Sequence, residues 1–288
     1  MKPAPFAYHA PTSLDEALAL YAEHPDARVL AGGQSLVPRM RLRIEKPAAV
    51  IDLNRVPGLD GLSVDGGAVT VGAMVRQQTL VADDRVAQAH PLIRVAGSHA
   101  GFATTRHRGT VGGSIAFAAP WAELSATTIT LGATITARSA GGERQIAAGD
   151  FFLGPNQTAL APGELVTEVH VPAAAPGTGY GFHEASPRYR DYATAAASAS
   201  ITVAGGTVAA ARLTLLRAAP APLQVDVGAI LGGRAVDDAA IADVVGALAD
   251  IDPPSDIEAS GTHRARLART LTERALADAW ANAQEAAA

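Results

Sequence analysis

Cysteine is absent from all 288 residues. Its absence excludes disulfides, Zn–thiolate sites and the usual cysteine-held iron–sulfur clusters. Any electrons passing through this chain must therefore travel on an organic cofactor. A basic surplus is also missing: 23 Lys and Arg stand against 28 Asp and Glu, a formal charge of -5. Such a balance offers no electrostatic footprint for nucleic acid. No apolar run approaches the roughly 18 residues of a membrane span, and the opening MKPAPFAYHAPTSLDEA lacks a signal-peptide core. A cytoplasmic location is expected. Neither a G-x-G-x-x-G turn between strand and helix nor a G-x-x-x-x-G-K-S/T loop occurs, so standard Rossmann and P-loop readings lack support. The eight histidines form no close ligand pair, and no metal site is expected.

What is present is a core-forming composition, with 48% hydrophobic and only 18% charged residues. The pattern along the chain mixes helices and strands. Ser13 to His24 reads as an amphipathic helix opened by a Ser13/Glu16 capping box. Arg28–Ala31 and Ala48–Asn54 read as short buried strands, which makes the first fifty residues a small α/β unit with AGGQS as the loop after its first strand. Gly61 to Ala73 reads as a hairpin turning at Asp65, Gly66 and Gly67. Helices are predicted over Val75–Ala82 and Asp84–Gly97. The β-branched run Ala126–Arg138 is predicted to be a strand that continues into a second hairpin through SAGGERQI. Glu164–Val171 alternates as a strand and stops at Pro172. Ala173 to Gly179, AAAPGTG, is the best domain boundary. Beyond it, strands are predicted at Tyr180–Ser186 and Ala193–Val203, then a hairpin at Gly205 and Gly206. Helices follow at Pro222–Leu231, Asp237–Ala249 and Thr262–Ala281.

Two glycine pairs about eighty positions apart organise this chain: VLAGGQSLVP, Val29 to Pro38, and RHRGTVGGSIAFAAPWAE, Arg106 to Glu123. Glycine lets backbone amides approach a ligand, and successive amides form an anion-binding nest. Gly32 and Gly33 would supply one nest, with Gln34 and Ser35 adding side-chain donors. Thr110, Gly112, Gly113 and Ser114 would supply a second. Either pair alone is more often a plain turn; together they suggest a long phosphate-bearing ligand between two loops. Arg106 and Arg108 read either as solvated charges or as phosphate partners.

AGGQSLVPRMRLRIEKPAAVIDLNRVPGL followed by GTVGGSIAFAAPWAEL resembles the medium, FAD-binding subunit of the molybdenum hydroxylases, the family of the carbon monoxide dehydrogenase medium subunit and the flavin domain of xanthine dehydrogenase. DFFLGPNQTALAPGELVTEVHVP and YGFHEASPRYRDYATAAASASIT extend the resemblance in order along nearly the whole chain. It implies an α+β protein: a two-subdomain FAD-binding domain over residues 1–175 (subdomains about 1–56 and 57–175) and a C-terminal α+β domain over 176–288, a sheet covered by helices. The diphosphate of FAD would meet Ala31, Gly32, Gly33, Gln34, Ser35 and Leu36, and a second loop Thr110, Val111, Gly112, Gly113 and Ser114. Glu123 matches a carboxylate that reaches the nucleotide part; its other reading is a solvated charge. Leu165 or Val166 matches an apolar flavin contact or is strand core. His183 stands where the family has a lysine and is either a donor to the flavin or a phosphate, or a packed or solvated histidine. Tyr192 either shields the isoalloxazine or is half-buried core. Relatives carry His and Asp where this chain has Phe117 and Ala119, and Gln and Asn where it has Thr104 and His107. No catalytic acid or base is expected here. The implied role is electron transfer: this subunit takes electrons from 2Fe-2S clusters of a small partner subunit and passes them to an external acceptor. A large partner subunit with the molybdopterin cofactor hydroxylates the substrate, and the assembly is a dimer of heterotrimers. The alternatives are a flavin-free scaffold subunit and a stand-alone FAD oxidoreductase.

Overall fold

The computed structural model describes residues 1–287, built as three main sheets, each with its own helices, and a two-stranded ribbon. The first is small. Strand β1 (Ala7–His9) leads to α1 (Leu14–Glu23), β2 (Arg28–Leu30), α2 (Leu36–Arg41) and β3 (Ala49–Asp52), with the strands parallel in the order β1-β3-β2. Ser13 caps α1 by accepting from the Glu16 amide at 3.2 Å, but the Glu16 carboxylate returns to the Thr12 amide, at 2.7 Å, one residue earlier than a capping box requires. Ala17, Leu18, Ile51 and Leu53 close the core beneath.

The second unit contains β4 (Leu62–Asp65), β5 (Ala68–Gly72), α3 (Gln77–Ala82), α4 (Asp84–Ala89), α5 (Pro91–His99), α6 (Ala103–Arg106), α7 (Val111–Phe117) and α8 (Glu123–Thr130). It continues through β6 (Thr134–Ser139), β7 (Gly142–Ala147), α9 (Ala148–Phe151), β8 (Phe152–Gly154), β9 (Gln157–Thr158) and β10 (Leu165–Val171). Its main sheet runs antiparallel in the order β4-β5-β10-β6-β7. The third unit is β11 (Thr178–Ala185), β12 (Ala195–Ala204), β13 (Thr207–Leu216) and β14 (Leu223–Val225) in one antiparallel sheet, followed by α10 (Val227–Leu231), α11 (Asp238–Gly246) and α12 (Gly261–Ala287). Alternation along β12 sends Ala195, Ala197 and Ala199 toward α12, while Ala196 joins the core of the second unit.

Three sequence expectations need correction. The predicted strand Ala126–Arg138 begins as helix, because residues 126–130 complete α8 and β6 starts only at Thr134. Thr127 and Thr128 tolerate the buried helix by donating their hydroxyls to the carbonyls of Glu123 and Leu124, at 2.7 and 2.9 Å. Gly132, at φ +64°, turns the chain out of the helix. The helix predicted over Asp84–Gly97 is two helices, parted at His90 because Pro91 disfavours helical geometry in the residue before it. The helix predicted at Pro222–Leu231 starts late: Leu223–Val225 pair with β13, and Asp226 then caps α10.

Candidate cofactor cleft

The loop after β2 and the turn after β3 lie at the carboxyl ends of neighbouring parallel strands, where open α/β sheets bind ligands. Ala31 to Ser35 form the first loop. Gly33 has φ +72°, and its carbonyl accepts from the Val37 amide at 3.0 Å, which turns the chain into α2. Among the described residues, the amides of Gly32, Gly33, Gln34 and Ser35 have no protein acceptor. They are open donors.

The second loop is closed. Val111 donates to Val75 at 3.0 Å, Gly112 to Ala73 at 2.9 Å, Gly113 to the Thr110 hydroxyl at 3.1 Å and Ser114 to the Thr110 carbonyl at 3.1 Å. Thr110 is thus the N-cap of α7. The expectation of a second nest of free amides is corrected on this point: Val111 to Ser114 spend their N–H groups inside the fold. The two loops touch, since a Cβ on Gly32 would overlap the Arg108 carbonyl and stand 2.8 Å from the Gly109 Cα.

A cleft of about 500 Å³ opens here, floored by Gly32, Gly33 and Gln34 and flanked by Asp52, Asn54 and Arg108. The Tyr8 hydroxyl donates to Asp52 at 2.5 Å, and the Asn54 side chain donates to Asp52 at 2.6 Å and to the Ala31 carbonyl at 2.9 Å. Burial alone would raise the Asp52 pKa, but the bonds from Tyr8 and Asn54, with Arg55 nearby, hold it below the usual carboxylate range. Arg76 donates to the Arg108 carbonyl at 2.7 Å and to Asn54 Oδ1 at 2.8 Å. Its own pKa is lowered by burial and then by the Arg108 cation. An arginine at one edge, Arg108, and open amides on the floor fit a diphosphate.

The other predicted residues lie elsewhere. Arg106 is buried and donates to Gln78 of α3 and to the Gly101 carbonyl at 3.0 and 2.6 Å, so neither of its earlier readings holds: its donors tie the turn at Gly101 to α3. Glu123 is not a solvated charge. It is 7% exposed in the first turn of α8, where burial, then the charge of Glu184, push its carboxyl up to about 8 against the smaller pull of Arg106. Leu165 is buried in β10 with Leu53 and Met74. His183 Nε2 meets Asp278 of α12 at 2.8 Å. Tyr192 is exposed rather than core, and its ring lies tilted by 33° against Trp121 with ring centres 4.6 Å apart. Ala119 is buried, whereas Thr104 and His107 are exposed. Phe117 lies under the Arg39 guanidinium, 5.7 Å from its ring centre. Sequence reasoning missed Asp52, Asn54 and Arg76. The first two were findable, because IDLN ends a parallel strand adjacent to β2; no local signal marks Arg76.

The fold and this cleft define an α+β scaffold with a row of open loop amides facing a cleft, a donor set of the kind that binds anions. Residues 4–174 match the family model "FAD binding domain in molybdopterin dehydrogenase", and residues 180–279 match "CO dehydrogenase flavoprotein C-terminal domain". The carbon monoxide dehydrogenase medium chain of Hydrogenophaga pseudoflava is 35% identical over 98% of this chain and 99% of its own. The solved carbon monoxide dehydrogenase of that organism lacking the Mo-pyranopterin moiety superposes with a TM-score of 0.94 over 98% of this chain and 99% of that one, at 35% identity. Quinoline 2-oxidoreductase from Pseudomonas putida 86 superposes at 0.92, with 36% identity and full coverage of both chains. The chain belongs to the FAD-binding medium subunits of the molybdenum hydroxylase family. It is a flavoprotein subunit of an oxidoreductase complex. Among the described residues no helix is long and apolar enough to cross a membrane, and no group of three or more His, Asp or Glu could hold a metal ion.

Proposed function

We propose that this chain is the electron-transfer subunit of its complex, taking electrons from 2Fe-2S clusters of a small partner subunit and passing them to an external acceptor. A separate large subunit with the molybdopterin cofactor performs the hydroxylation, and the cytoplasmic assembly is a dimer of heterotrimers. When bound, FAD supplies the redox chemistry that a cysteine-free chain lacks. The open amides of Gly32 to Ser35 would hold its diphosphate, and Arg108 would neutralise it. Thr110 to Ser114 would wall the cleft by shape rather than by amide donation. Tyr192, packed against Trp121, would exclude water from the flavin end. Residues 1–175 would form the FAD-binding domain and 176–288 the domain that completes the site.

The observation carrying this reading is the row of open amides on the floor of a cleft that Arg108 also lines. It is tested on the purified complex. Flavin absorbance at close to one FAD per chain, and FAD rather than FMN released on denaturation, are expected. A flavin-free complex that still hydroxylates its substrate at full rate would overturn it.

A further inference from the structure

Four hydrogen-bonded groups run between the two glycine loops without a break. The Arg108 carbonyl, which precedes Gly109 and Thr110, accepts from Arg76 Nη1 at 2.7 Å. Arg76 Nη2 donates to Asn54 Oδ1 at 2.8 Å, and Asn54 Nδ2 donates to the carbonyl of Ala31, just before Gly32, at 2.9 Å. Both ends therefore sit on backbone, next to the glycines. We propose that Arg76 and Asn54 form a brace that fixes the separation of the two loops and so act as positioning residues for FAD; this rests on the cofactor occupying the cleft.

The brace is anchored at each member. Arg76 faces Thr110 in an isolated antiparallel bridge, and the Gln77 amide donates to Gly109 at 2.9 Å. Asn54 is held by its own amide on Asp52 Oδ1 at 2.9 Å, and Asp52 by Tyr8. The chemistry at 54 is restrictive. One side chain must accept from a guanidinium and donate to a carbonyl, which an amide does and a carboxylate or aliphatic group does not. Among the described residues Arg76 has no carboxylate within ion-pair distance, so both bonded nitrogens serve the brace. The Arg108 cation beside it is repelled until an anion arrives.

The test uses the full chain, freed of flavin and titrated with FAD, with melting of the flavin-free protein followed in parallel. Asn54→Ala and Arg76→Met each raise the FAD Kd about tenfold or more, the loss expected for a hydrogen bond to a charged group. The double variant binds no worse than the weaker single, because either change breaks the same chain. Arg76→Lys, which keeps the charge and one bond, recovers part of the loss. Asn54→Asp, which still accepts from Arg76 but cannot donate to Ala31 or Asp52, stays weak, and the parallel melting curve reads the cost of setting it against the Asp52 carboxylate. Additive losses, or Kd values within twofold of the parent in Asn54→Asp and Arg76→Met, overturn the brace. Gly32→Val separates the two levels of inference. If it loses FAD while the brace variants keep it, the brace fails and the cleft stands; if it also keeps FAD, the cofactor lies elsewhere and both fail.

Discussion

Gly32 lies against the backbone of Arg108 with no room for a side chain between them, and the Gly109 Cα would stand 2.8 Å from an added Cβ. Both neighbours are main chain, so neither can rotate away. Gly32→Ala should force the loops apart and lower FAD retention at least about tenfold, a loss of ~1.4 kcal/mol or more. Gly33 differs. Its φ of +72° penalises any side chain, by roughly 1–2 kcal/mol, but an added Cβ there meets only the side chains of Leu30 and Val37, at 3.2 Å. Gly33→Ala should retain more flavin than Gly32→Ala. Absorbance of bound flavin after gel filtration reads the order directly.

The second glycine pair divides its tasks as well. A Cβ on Gly112 would press into Ala73, with the Ala73 Cα 2.7 Å away, so this glycine seats α7 on the backbone after β5. On Gly113 the obstacle is the Thr110 hydroxyl, at 2.7 Å, the group that caps α7. Denaturant unfolding should show Gly113→Ala losing about 1 kcal/mol, the worth of an N-cap. Gly112→Ala should lose more, at ~1–3 kcal/mol for overpacking.

The sequence pattern made these loops conspicuous but not their division of labour. Gly-Gly reads the same whether its amides are open, as at Gly32 and Gly33, or spent, as at Gly112 and Gly113; the difference lies in which strand carbonyls come near. Hairpins announced by turn glycines were legible, including the turn at Gly66 and Gly67 and that at Gly205 and Gly206. Helix α8 was not, because its threonines satisfy a β propensity scale yet find intrahelical acceptors and a buried berth against β12 and β13, where Thr130 donates to Thr214 at 3.0 Å. Arg76 was invisible for another reason: its partners are 22 and 32 positions away.

Glu123 gives the protein a pH dependence of definite sign. Burial, then Glu184, raise its carboxyl from 4.5 to about 8 in the folded state. The folded state therefore holds a proton that the unfolded chain has released over the window between those values. Stability attached to this group is intact below 4.5 and is lost as pH rises through 8, with a slope of at most about 1.4 kcal/mol per pH unit. Glu123→Gln, neutral at every pH, should match the parent near pH 4.5 and exceed it in melting temperature at pH 8. A parent that gains on the variant as pH rises would mean the carboxylate is stabilised, by an ion pair with Arg106.

Asp256 holds two buried arginines at once. Its carboxylate binds Arg217 and, at 2.7 Å, Arg264, whose side chains are 4% and 0% exposed, and Glu258 adds a contact to Arg217 at 3.1 Å. Arg217 has φ 59° and reaches Trp121, its guanidinium 5.9 Å from the ring centre, so the ion network supports the Trp121–Tyr192 pair. Burial acts against the Asp256 anion. The bonds from Arg264 and from the Glu258 and Ala259 amides, with the Arg217 charge, outweigh it and hold its pKa well below the usual range. Removing a partner from buried charges costs ~3–5 kcal/mol when none remains. Because Glu258 stays, Asp256→Ala should cost less than that, and Asp256→Ala with Glu258→Ala should reach it. The depressed pKa sets the acid limb: the contribution is whole above 3.8 and is lost as pH falls below it, so the gap between parent and Asp256→Ala narrows in strong acid. Urea titrations at neutral pH and at pH 3 measure both claims, and a gap that widens in acid would show that the carboxylate is not what holds the arginines.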